Sequence, residues 1–537
     1  MKFTKALLIG ASVGAGIFLG SLSRPAISSD NIYEQVKKFN DVLNRANSMY
    51  VENVDAQKLT EAAIKGMLNE LDPHSVYIPA SQMKKVTEDF QGSFEGIGVE
   101  FDIVKDTITI VTPISGGPSQ ALGIQSGDKI VKIDDTLAIG LTREDVPKKL
   151  RGPKGTHVKI SVKRGPETKL IDYDIVRDKI PIYTVDASFI IDKTDIGLIS
   201  INRFAATTHT EFVEAARKLR AEGMKKLILD LRNNPGGYLD QAFKLADEFL
   251  TGGQKIVYTK GRKPEVDEDY YSSDGGEFEN IPLIIMVNGG SASASEIVSG
   301  AVQDLDRGLI VGETSFGKGL VQQQYPLSDG SAFRLTISRY FTPSGRLIQR
   351  PYNDKDKYYK GEGREDVEEG DNIQHSADKG KKVDSLRPVF KTVSGRIVYG
   401  GGGIIPDYVV KPDTITPLSV AIRRKNLFWE FTDSYLRGEG TQLRNKYKED
   451  FKMYRKSFST NDEIMDSFKK LAESKEIVWN DVNYKKDEEY IRSMIKATIA
   501  RSLYGNLGFF PIAYQDDKQI NKAMLLFPEA SKIAKLK

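Results

Sequence analysis

The sequence predicts a multidomain α/β protein with helical regions at both ends. Between residues 196 and 340, short apolar runs rich in branched residues alternate with helical patterns, which indicates an α/β layer with a partly parallel sheet. Apolar residues recur at spacings of three and four before residue 72, and a helical pattern returns after residue 417. A chain of 537 residues is long enough for several such domains.

The composition excludes several kinds of function. Lysine and arginine total 77 against 74 aspartates and glutamates, and the resulting net charge of +3 implies no nucleic-acid partner. The chain has no cysteine, so disulfides, thiolate metal sites and a cysteine nucleophile are excluded together. Four histidines lie in separate neighbourhoods without the spacing of metal ligands, at His74, His157, His209 and His375. We therefore expect no cofactor and no metal.

Residues 1–26 have the pattern of a signal peptide or signal anchor. Lys2 and Lys5 precede an uncharged, glycine-rich apolar stretch over residues 6–22. That stretch is close to the lower length limit for a membrane-spanning helix, so membrane anchoring is one expectation and cleavage near Ala26 is the other. The positive residues before it would leave the rest of the chain outside the cytoplasm. We expect export, to the periplasm or the outer face of a bacterial inner membrane.

Residues 27–90 are predicted to be mainly helical. Two apolar stripes at helical spacing lie on either side of Asp55: Ile32, Val36, Phe39, Leu43, Ala46 and Met49, then Leu59, Ala63, Met67 and Leu71. Such a stripe packs either on the chain's own core or against a second copy, so a homodimer remains one of two expectations.

Residues 91–180 change to short strands separated by glycines, with a helix over residues 142–150. This order resembles a PDZ domain. The resemblance implies that a peptide adds as a strand and that backbone N–H groups hold its terminal carboxylate. The peptide-binding residues it implies, for an apolar last side chain, are Gly96, Ile97, Gly98, Val99, Val146 and Leu150.

The central stretch, residues 283–322, carries the features that point to chemistry. A buried strand over residues 283–287 breaks at two glycines, several serines follow, and a helical pattern starts near Glu296. A serine at such a turn suits a nucleophile, because free helix N–H groups lie beside it. Serines before a helix are also ordinary caps. A second strand then ends in a glycine-framed loop containing Lys318.

The loop around Lys318 also fits the P-loop spacing G-x-x-x-x-G-K from Gly312. Position 319 is glycine, however, and the serine or threonine that binds Mg²⁺ is therefore missing. The residues that follow are typical of a strand and not of a helix. For these two reasons the P-loop interpretation is rejected.

The motifs GSASASE, FGKGLVQ and LRNNPGG, in this chain over residues 290–296, 316–322 and 231–237, resemble those of the carboxy-terminal processing peptidases, also called tail-specific proteases. The resemblance extends over roughly residues 31–415. It implies that the nucleophile is Ser293, the general base is Lys318 and the residue supporting the lysine is Gln322. It also implies that the oxyanion is held by the N–H groups of Gly237 and Ala294.

A lysine acts as a base only when it is neutral, so the pKa of Lys318 must be lowered by burial away from carboxylates. Phe316 and Leu320 flank the lysine and are expected to supply apolar surroundings. Glu296 and Glu313 are expected to point elsewhere, because an ion pair with either would raise the lysine pKa.

The domain prediction assigns residues 181–350 and 391–415 to an α/β serine-protease core. The polar, charged segment over residues 351–390 is expected to be a flexible insertion. Residues 416–537 are expected to form a C-terminal helical accessory domain.

The function expected from the resemblance is a serine endopeptidase that selects protein substrates by free apolar C-termini. Arg151, directly after the helix of the PDZ domain, is the candidate for relaying peptide occupancy to the protease core, since a guanidinium offers five donors. The alternative is a non-catalytic PDZ adaptor or chaperone on a protease scaffold.

Overall fold

The computed structural model describes residues 31–165, 169–360, 369–371, 387–447 and 450–536. The predicted signal segment lies outside these residues, as does most of the predicted insertion. Within them the predicted multidomain α/β architecture is confirmed. Residues 31–77 and 333–335 form one compact unit, and the other described residues form a second.

The first unit begins with the two predicted helices, α1 (Ile32–Met49) and α2 (Ala56–Leu71). Their N-termini are capped by Asn31 and Asp55, whose side chains accept hydrogen bonds from backbone N–H groups of the first turn. None of the residues of α1 is buried in the described chain, and Met49 at its end is 79% exposed. The apolar stripe of α1 is therefore not buried within the described residues.

The predicted PDZ domain follows a short strand and helix, β1 (Val76–Ile78) and α3 (Ala80–Gln91). Its elements are, in chain order, β2 (Ser93–Gly96), β3 (Val99–Val104), β4 (Thr107–Pro113), α4 (Pro118–Ala121), β5 (Lys129–Ile133), β6 (Thr136–Leu137), α5 (Asp145–Leu150), β7 (His157–Lys163), β8 (Ile171–Val176) and β9 (Asp178–Pro181). The main sheet has the order β3-β4-β5-β7-β8, so β3 is an edge strand, and β2 pairs separately with β9.

The predicted protease core is built around a seven-stranded sheet. The core elements up to residue 341 are β10 (Val185–Ile190), β11 (Ile196–Ile201), α6 (Thr208–Ala221), β12 (Lys226–Asp230), α7 (Leu239–Asp247), β13 (Lys255–Gly261), β14 (Asp269–Tyr271), β15 (Leu283–Val287), α8 (Ala294–Asp304), β16 (Leu309–Gly312), β17 (Leu320–Pro326) and β18 (Ala332–Phe341). Strands β11, β12, β15 and β16 are parallel neighbours. The loops that leave β12 and β15 at their carboxyl ends therefore emerge side by side.

Residues after 341 complete this sheet and add small elements: α9 (Lys355–Lys360), β19 (Gly370–Asp371), β20 (Val389–Lys391), β21 (Ile397–Tyr399) and β22 (Tyr408–Val409). Strand β22 pairs with β16, and β19 closes the edge beyond β22. Part of the predicted flexible insertion is thus folded. Tyr358 of α9 is buried, because its ring packs edge-on against Phe316 of the central stretch.

The C-terminal region is helical, as expected: α10 (Pro417–Arg424), α11 (Leu427–Arg437), α12 (Leu443–Tyr447), α13 (Phe451–Ser457), α14 (Asp462–Ser474), α15 (Asp481–Tyr504), α16 (Asn506–Ala513), α17 (Lys518–Leu525) and α18 (Phe527–Ile533). Helices α10 to α16 share an aromatic-rich core of their own. No helix in the described ranges has the length and apolar content needed to cross a membrane.

The last two helices are part of the protease core and not of a separate accessory domain. Ile520, Phe527 and Ala530 pack on one face of the seven-stranded sheet, against strand residues such as Ile228 and Ile284. Helices α6, α7 and α8 cover the opposite face. The sheet is therefore the middle of three layers, and the C-terminal end of the chain supplies one of the outer two.

Candidate active site

Ser293 lies at the sharp turn between β15 and α8, directly before the first residue of the helix. Its backbone has φ 55° and ψ −112°, which is rare for a residue other than glycine. Such a conformation persists only where the surrounding structure enforces it, and it is common at active sites. The turn leaves the Ser293 side chain half-buried at the carboxyl end of the sheet.

The other two serines of the GSASASE motif bond to the turn that follows β12. Ser291 Oγ donates to the carbonyl of Leu231 at 2.8 Å, and Ser295 Oγ donates to the carbonyl of Asn234 at 3.0 Å. Both are fully buried. The motif therefore uses its outer serines to fix the loop and leaves the middle one, Ser293, with the geometry of a nucleophile.

The N-terminus of α8 offers one N–H group that is not used within the described chain. The N–H groups of residues 295, 296 and 297 all bond to carbonyls of the turn before them, at 2.8–3.1 Å. The N–H of Ala294 has no acceptor among the described residues. It is therefore available to an oxyanion beside Ser293.

The second predicted oxyanion donor, Gly237, lies on the adjacent turn. Phe204 makes the flanking bonds on one side of this turn, since its N–H donates to the Gly236 carbonyl and its carbonyl accepts from the Tyr238 N–H, both at 2.9 Å. The Gly237 N–H has no acceptor in the described part of the chain. A Cβ at Gly237, where φ is 153°, would lie 1.9 Å from the Phe204 carbonyl oxygen, so only glycine fits.

The two turns touch directly at the nucleophile. A Cβ placed on Gly236 would lie 2.8 Å from Ser293 Cβ and 2.9 Å from the Ala294 nitrogen. Asn234 holds this approach: its side-chain oxygen accepts from the Gly236 N–H at 2.9 Å, and its carbonyl accepts from the Ala292 N–H at 3.0 Å. The structure thus brings Ser293, Ala294 and the Gly236–Gly237 turn together.

A fully buried carboxylate, Glu296, joins Ser293 to the lysine loop. Its oxygens accept from the backbone N–H groups of Ser293 at 2.8 Å, Gly317 at 2.7 Å and Lys318 at 2.9 Å, and from the Ser315 hydroxyl. The prediction that Glu296 points away from the lysine loop is therefore wrong. Four donors therefore surround its two oxygens, and the one from Lys318 is its backbone N–H.

The pKa of Glu296 reflects this position. Burial raises it from 4.5 to about 7, although the hydrogen bonds from Ser315 and from the three backbone N–H groups act in the opposite direction. Desolvation penalises the charged form of the carboxylate more than these bonds favour it.

Tyr340 of β18 provides a second link. Its hydroxyl donates to the carbonyl of Lys318 and lies 3.2 Å from the carbonyl of Ser293. Burial, together with the nearby Glu296 carboxylate, raises the pKa of Tyr340 well above its ordinary value, so it remains a donor at physiological pH. The backbones of nucleophile and lysine therefore share two buried partners.

The surroundings of the lysine loop are only partly apolar. Leu320 is buried as expected. The guanidinium carbon of Arg350, however, lies 4.3 Å from the centroid of the Phe316 ring and 4.0 Å from that of the Tyr358 ring. Phe316 thus contributes to a buried cation–π cluster, which the sequence did not indicate.

Gln322 is half-buried on β17, four residues beyond Lys318. Its side-chain nitrogen donates to Thr336 Oγ1 at 3.5 Å, which is a long hydrogen bond. Its support of Lys318 stays a prediction.

The residues assigned to peptide binding divide into two groups. Ile97, Val146 and Leu150 are buried in the core of the PDZ domain. Gly98 and Val99 lie at the start of the edge strand β3, with φ 74° at Gly98 and Val99 half-exposed. Gly96 and Gly98 are buried as well, so Val99 at the start of the edge strand is the partly accessible one of these six residues.

Arg151 pairs with Glu88 of α3 and stacks over Phe94, 4.4 Å from the ring centroid. Two residues further along α3, the ring of Phe90 packs edge-on against that of Tyr238, with 5.0 Å between the centroids. Tyr238 is the residue that follows Gly237. Arg151 therefore contacts α3, and another residue of the same helix contacts the turn that carries Gly237.

Sequence reasoning missed several residues that organise the site: Asn234, Tyr340, and Arg232 with its C-terminal partner Asp517. Asn234 lies within the LRNNPGG motif and could have been chosen as a buried polar residue in a turn. The others gave no local signal, since their partners are distant in sequence.

Comparison with known proteins places these features in a family. Residues 195–356 match peptidase family S41, residues 96–175 match the PDZ domain, residues 21–82 match the activating protease CtpB N-terminal domain, and residues 420–505 match a family of unknown function.

The chain is similar to several curated and solved relatives. It is 39% identical over 344 residues to the carboxy-terminal-processing protease of Bartonella bacilliformis, covering 63% of this chain and 78% of that protein. It is 38% identical to a probable CtpA-like serine protease of Staphylococcus aureus, over 58% of this chain and 62% of that protein, which is less than two thirds of its length. A solved photosystem II D1 C-terminal processing protease is 29% identical, with a TM-score of 0.33, over 58% of this chain and 86% of that one.

Proposed function

The chain belongs to the carboxy-terminal processing proteases of peptidase family S41, and we propose that it is a serine endopeptidase with a Ser293/Lys318 dyad. Its substrates are proteins or peptides with free apolar C-termini, selected through the PDZ domain. The observation that carries this proposal is the pair of unused N–H groups, those of Gly237 and Ala294, on the two turns that meet at Ser293.

The reaction is acyl transfer. Ser293 Oγ attacks the carbonyl carbon of the scissile peptide and passes its proton to the neutral amine of Lys318. The N–H groups of Gly237 and Ala294 stabilise the negative oxygen of the tetrahedral intermediate. As the C–N bond breaks, the ammonium of Lys318 returns the proton to the leaving amine. Water, deprotonated by Lys318, then attacks the acyl-enzyme. The ester C–O bond breaks, Lys318 returns the proton to Ser293 Oγ, and the new C-terminus is released.

The support for Lys318 as the base is the shared position of the two backbones. Glu296 and Tyr340 each bond to both Ser293 and Lys318, so the two residues are held in one rigid arrangement. Arg350 donates its backbone N–H to the Gly317 carbonyl at 3.0 Å, and its charged guanidinium stacks on Phe316, two residues before Lys318. A buried positive charge disfavours the protonated form of a neighbouring lysine.

Substrate selection follows from the free edge of β3. A peptide can add to this edge as a further strand, with its carboxylate at the loop before Val99. Arg151 is the relay: its ion pair with Glu88 links α5 to α3, and Phe90 of α3 contacts Tyr238 beside the oxyanion turn.

The exposed stripe of α1 supports a homodimer, since a contiguous apolar surface on a soluble protein usually marks an interface. The N-terminal pattern supports export of a bacterial protein to the periplasm or to the outer face of the inner membrane, where the protease would meet its substrates.

The central experiment measures casein cleavage by wild type, Ser293→Ala and Lys318→Ala. Both variants are expected to lose turnover while remaining folded. Substitution of any one histidine should leave substantial activity, and a folded histidine variant as inactive as Ser293→Ala would overturn the lysine assignment. Matched peptides with a free or amidated C-terminus test selection, and equal cleavage of the two would exclude it. If Arg151→Ala keeps peptide binding and full cleavage, Arg151 is not the relay.

A further inference from the structure

The turn that carries Gly237 is bonded to a segment near the C-terminal end of the chain. Arg232 is the second residue of the LRNNPGG motif, and only 11% of its side chain is exposed. One edge of its guanidinium bonds to Asp230 at the end of β12, with distances of 2.7–3.1 Å. The remaining nitrogen, Nη1, donates to Asp517 at 2.8 Å and to Gln519 at 2.7 Å.

These two acceptors are themselves fixed. Asp517 caps α17, where its other oxygen accepts from the Ile520 N–H at 2.9 Å. Gln519 is buried, and its amide nitrogen donates to the Val410 carbonyl at 2.6 Å. Helices α17 and α18 pack their apolar side chains on the protease sheet. The two acceptors are therefore anchored to the same sheet whose strands carry the catalytic turns.

The connection to the oxyanion turn runs through short bonds. Asp230 accepts from both the side chain and the backbone N–H of Arg232, so the guanidinium fixes the chain at the first step of the turn. Two residues later, Asn234 bonds to Gly236 and to Ala292 at the nucleophile loop. A displacement of Arg232 would therefore be passed to the Gly237 N–H.

From this geometry we infer that Asp517 and Gln519 are positioning residues of the protease: they hold Arg232, and through it the oxyanion turn, in the geometry needed for catalysis. The inference rests on the proposed role of Gly237. It assigns the C-terminal end of the chain a part in the reaction in addition to its packing on the sheet.

The physical reason is the sensitivity of oxyanion stabilisation to position. A donor stabilises the intermediate only when it lies close to the position that the oxyanion will occupy, and loss of one donor lowers kcat by about 10²–10³-fold. Asparagine at 517 keeps the capping oxygen and the side-chain shape but removes the charge facing Arg232. A partial shift of the turn should result, and with it a loss in kcat of about tenfold.

The test compares Asp517→Asn and Gln519→Met with Asp516→Asn in the full chain. Asp516 is exposed and has no contact described, so its substitution is the same chemical change one residue away. We expect Asp517→Asn and Gln519→Met to lower kcat about tenfold with KM within about twofold of wild type, because substrate binding does not use the oxyanion donors. Asp516→Asn should behave as wild type.

A peptide boronic acid, which forms a tetrahedral adduct on the serine, separates positioning from mere stability. Its inhibition constant should rise by the same factor as kcat falls. An unchanged inhibition constant would overturn the inference, and so would an equal fall of kcat in Asp516→Asn. A fall of kcat that comes with a changed KM and a lower melting temperature would also overturn it. Activity remaining in Ser293→Ala would instead refute the proposed dyad. It would not change the effects measured for Asp517→Asn and Gln519→Met.

Discussion

The carboxylate of Glu296 accepts the backbone N–H of Lys318 at 2.9 Å and, with the same oxygen, the backbone N–H of Ser293 at 2.8 Å. One buried group thus sets the distance between the proposed nucleophile and base. Every described hydrogen bond to Glu296 comes from a donor, so the nitrogen of an amide at this position would face donors only.

The first prediction concerns the pH dependence of stability. The pKa of Glu296 is 4.5 as an ordinary glutamate and about 7 in the fold. Between these values the folded state binds more protons than the unfolded state, so the free energy of unfolding should fall as pH rises. The loss amounts to about 3 kcal/mol and is complete above pH 7.

Urea unfolding at pH 4.5 and pH 8 checks this, with Glu296→Gln as the comparison. Glutamine does not titrate, so the difference between the two pH values should be smaller in the variant by about 3 kcal/mol. Equal pH dependence in both proteins would contradict the assignment of this pKa.

A second prediction isolates the link made by Tyr340. Tyr340→Phe keeps the buried ring but removes the donor to the carbonyl of Lys318. We expect a loss in stability of about 1 kcal/mol and a larger effect on kcat, about tenfold, since the lysine loop can shift relative to Ser293. Tyr270→Phe, whose hydroxyl bonds to Glu268 at the surface, is the matched control and should not change kcat.

The three serines of the motif give a third prediction. Ser291→Ala and Ser295→Ala each remove one hydrogen bond to a buried carbonyl that keeps a backbone donor, which should cost about 1 kcal/mol of stability. Both variants should still be labelled by a fluorophosphonate probe, whereas Ser293→Ala should not. Labelling of Ser293→Ala at wild-type level would show that another residue is the nucleophile.

A fourth prediction concerns the contact between the PDZ domain and the C-terminal helices. Arg501 bonds to Glu100 of the edge strand β3 at 3.1 Å, and Asn426 bonds to Asp102 of the same strand at 2.7 Å. These groups are partly exposed, so each contact should stabilise the docked domain by only about 0.2–1 kcal/mol. Glu100→Lys should therefore increase hydrogen exchange in β3 without changing the melting temperature of the protease core.

The control for this contact is the double variant Glu100→Lys/Arg501→Glu, which restores the opposite charges and should restore protection of β3. High salt should reduce the difference between wild type and Glu100→Lys, because partly exposed charges are screened. Protection that does not respond to either change would show that the contact has no role in docking.

The sequence by itself determined the fold class, the order of the elements and the site motifs. Apolar periodicity predicted the helices at both ends and the strands of the core, and the glycines of LRNNPGG marked a turn that only glycine can make at Gly237. The place of Ser293 between β15 and α8 also followed from local pattern alone. Such features depend on residues a few positions apart, which is the range that periodicity and turn chemistry report.

Only the tertiary structure decided which distant groups meet. Asp517 bonds to Arg232 across 285 positions of sequence, Tyr340 reaches the Ser293 carbonyl, and Arg151 contacts Glu88. The sequence assigned α17 and α18 to an accessory domain, whereas they form a layer of the protease core. A periodic pattern states that a face is buried, but the partner that covers it depends on the packing of the whole chain.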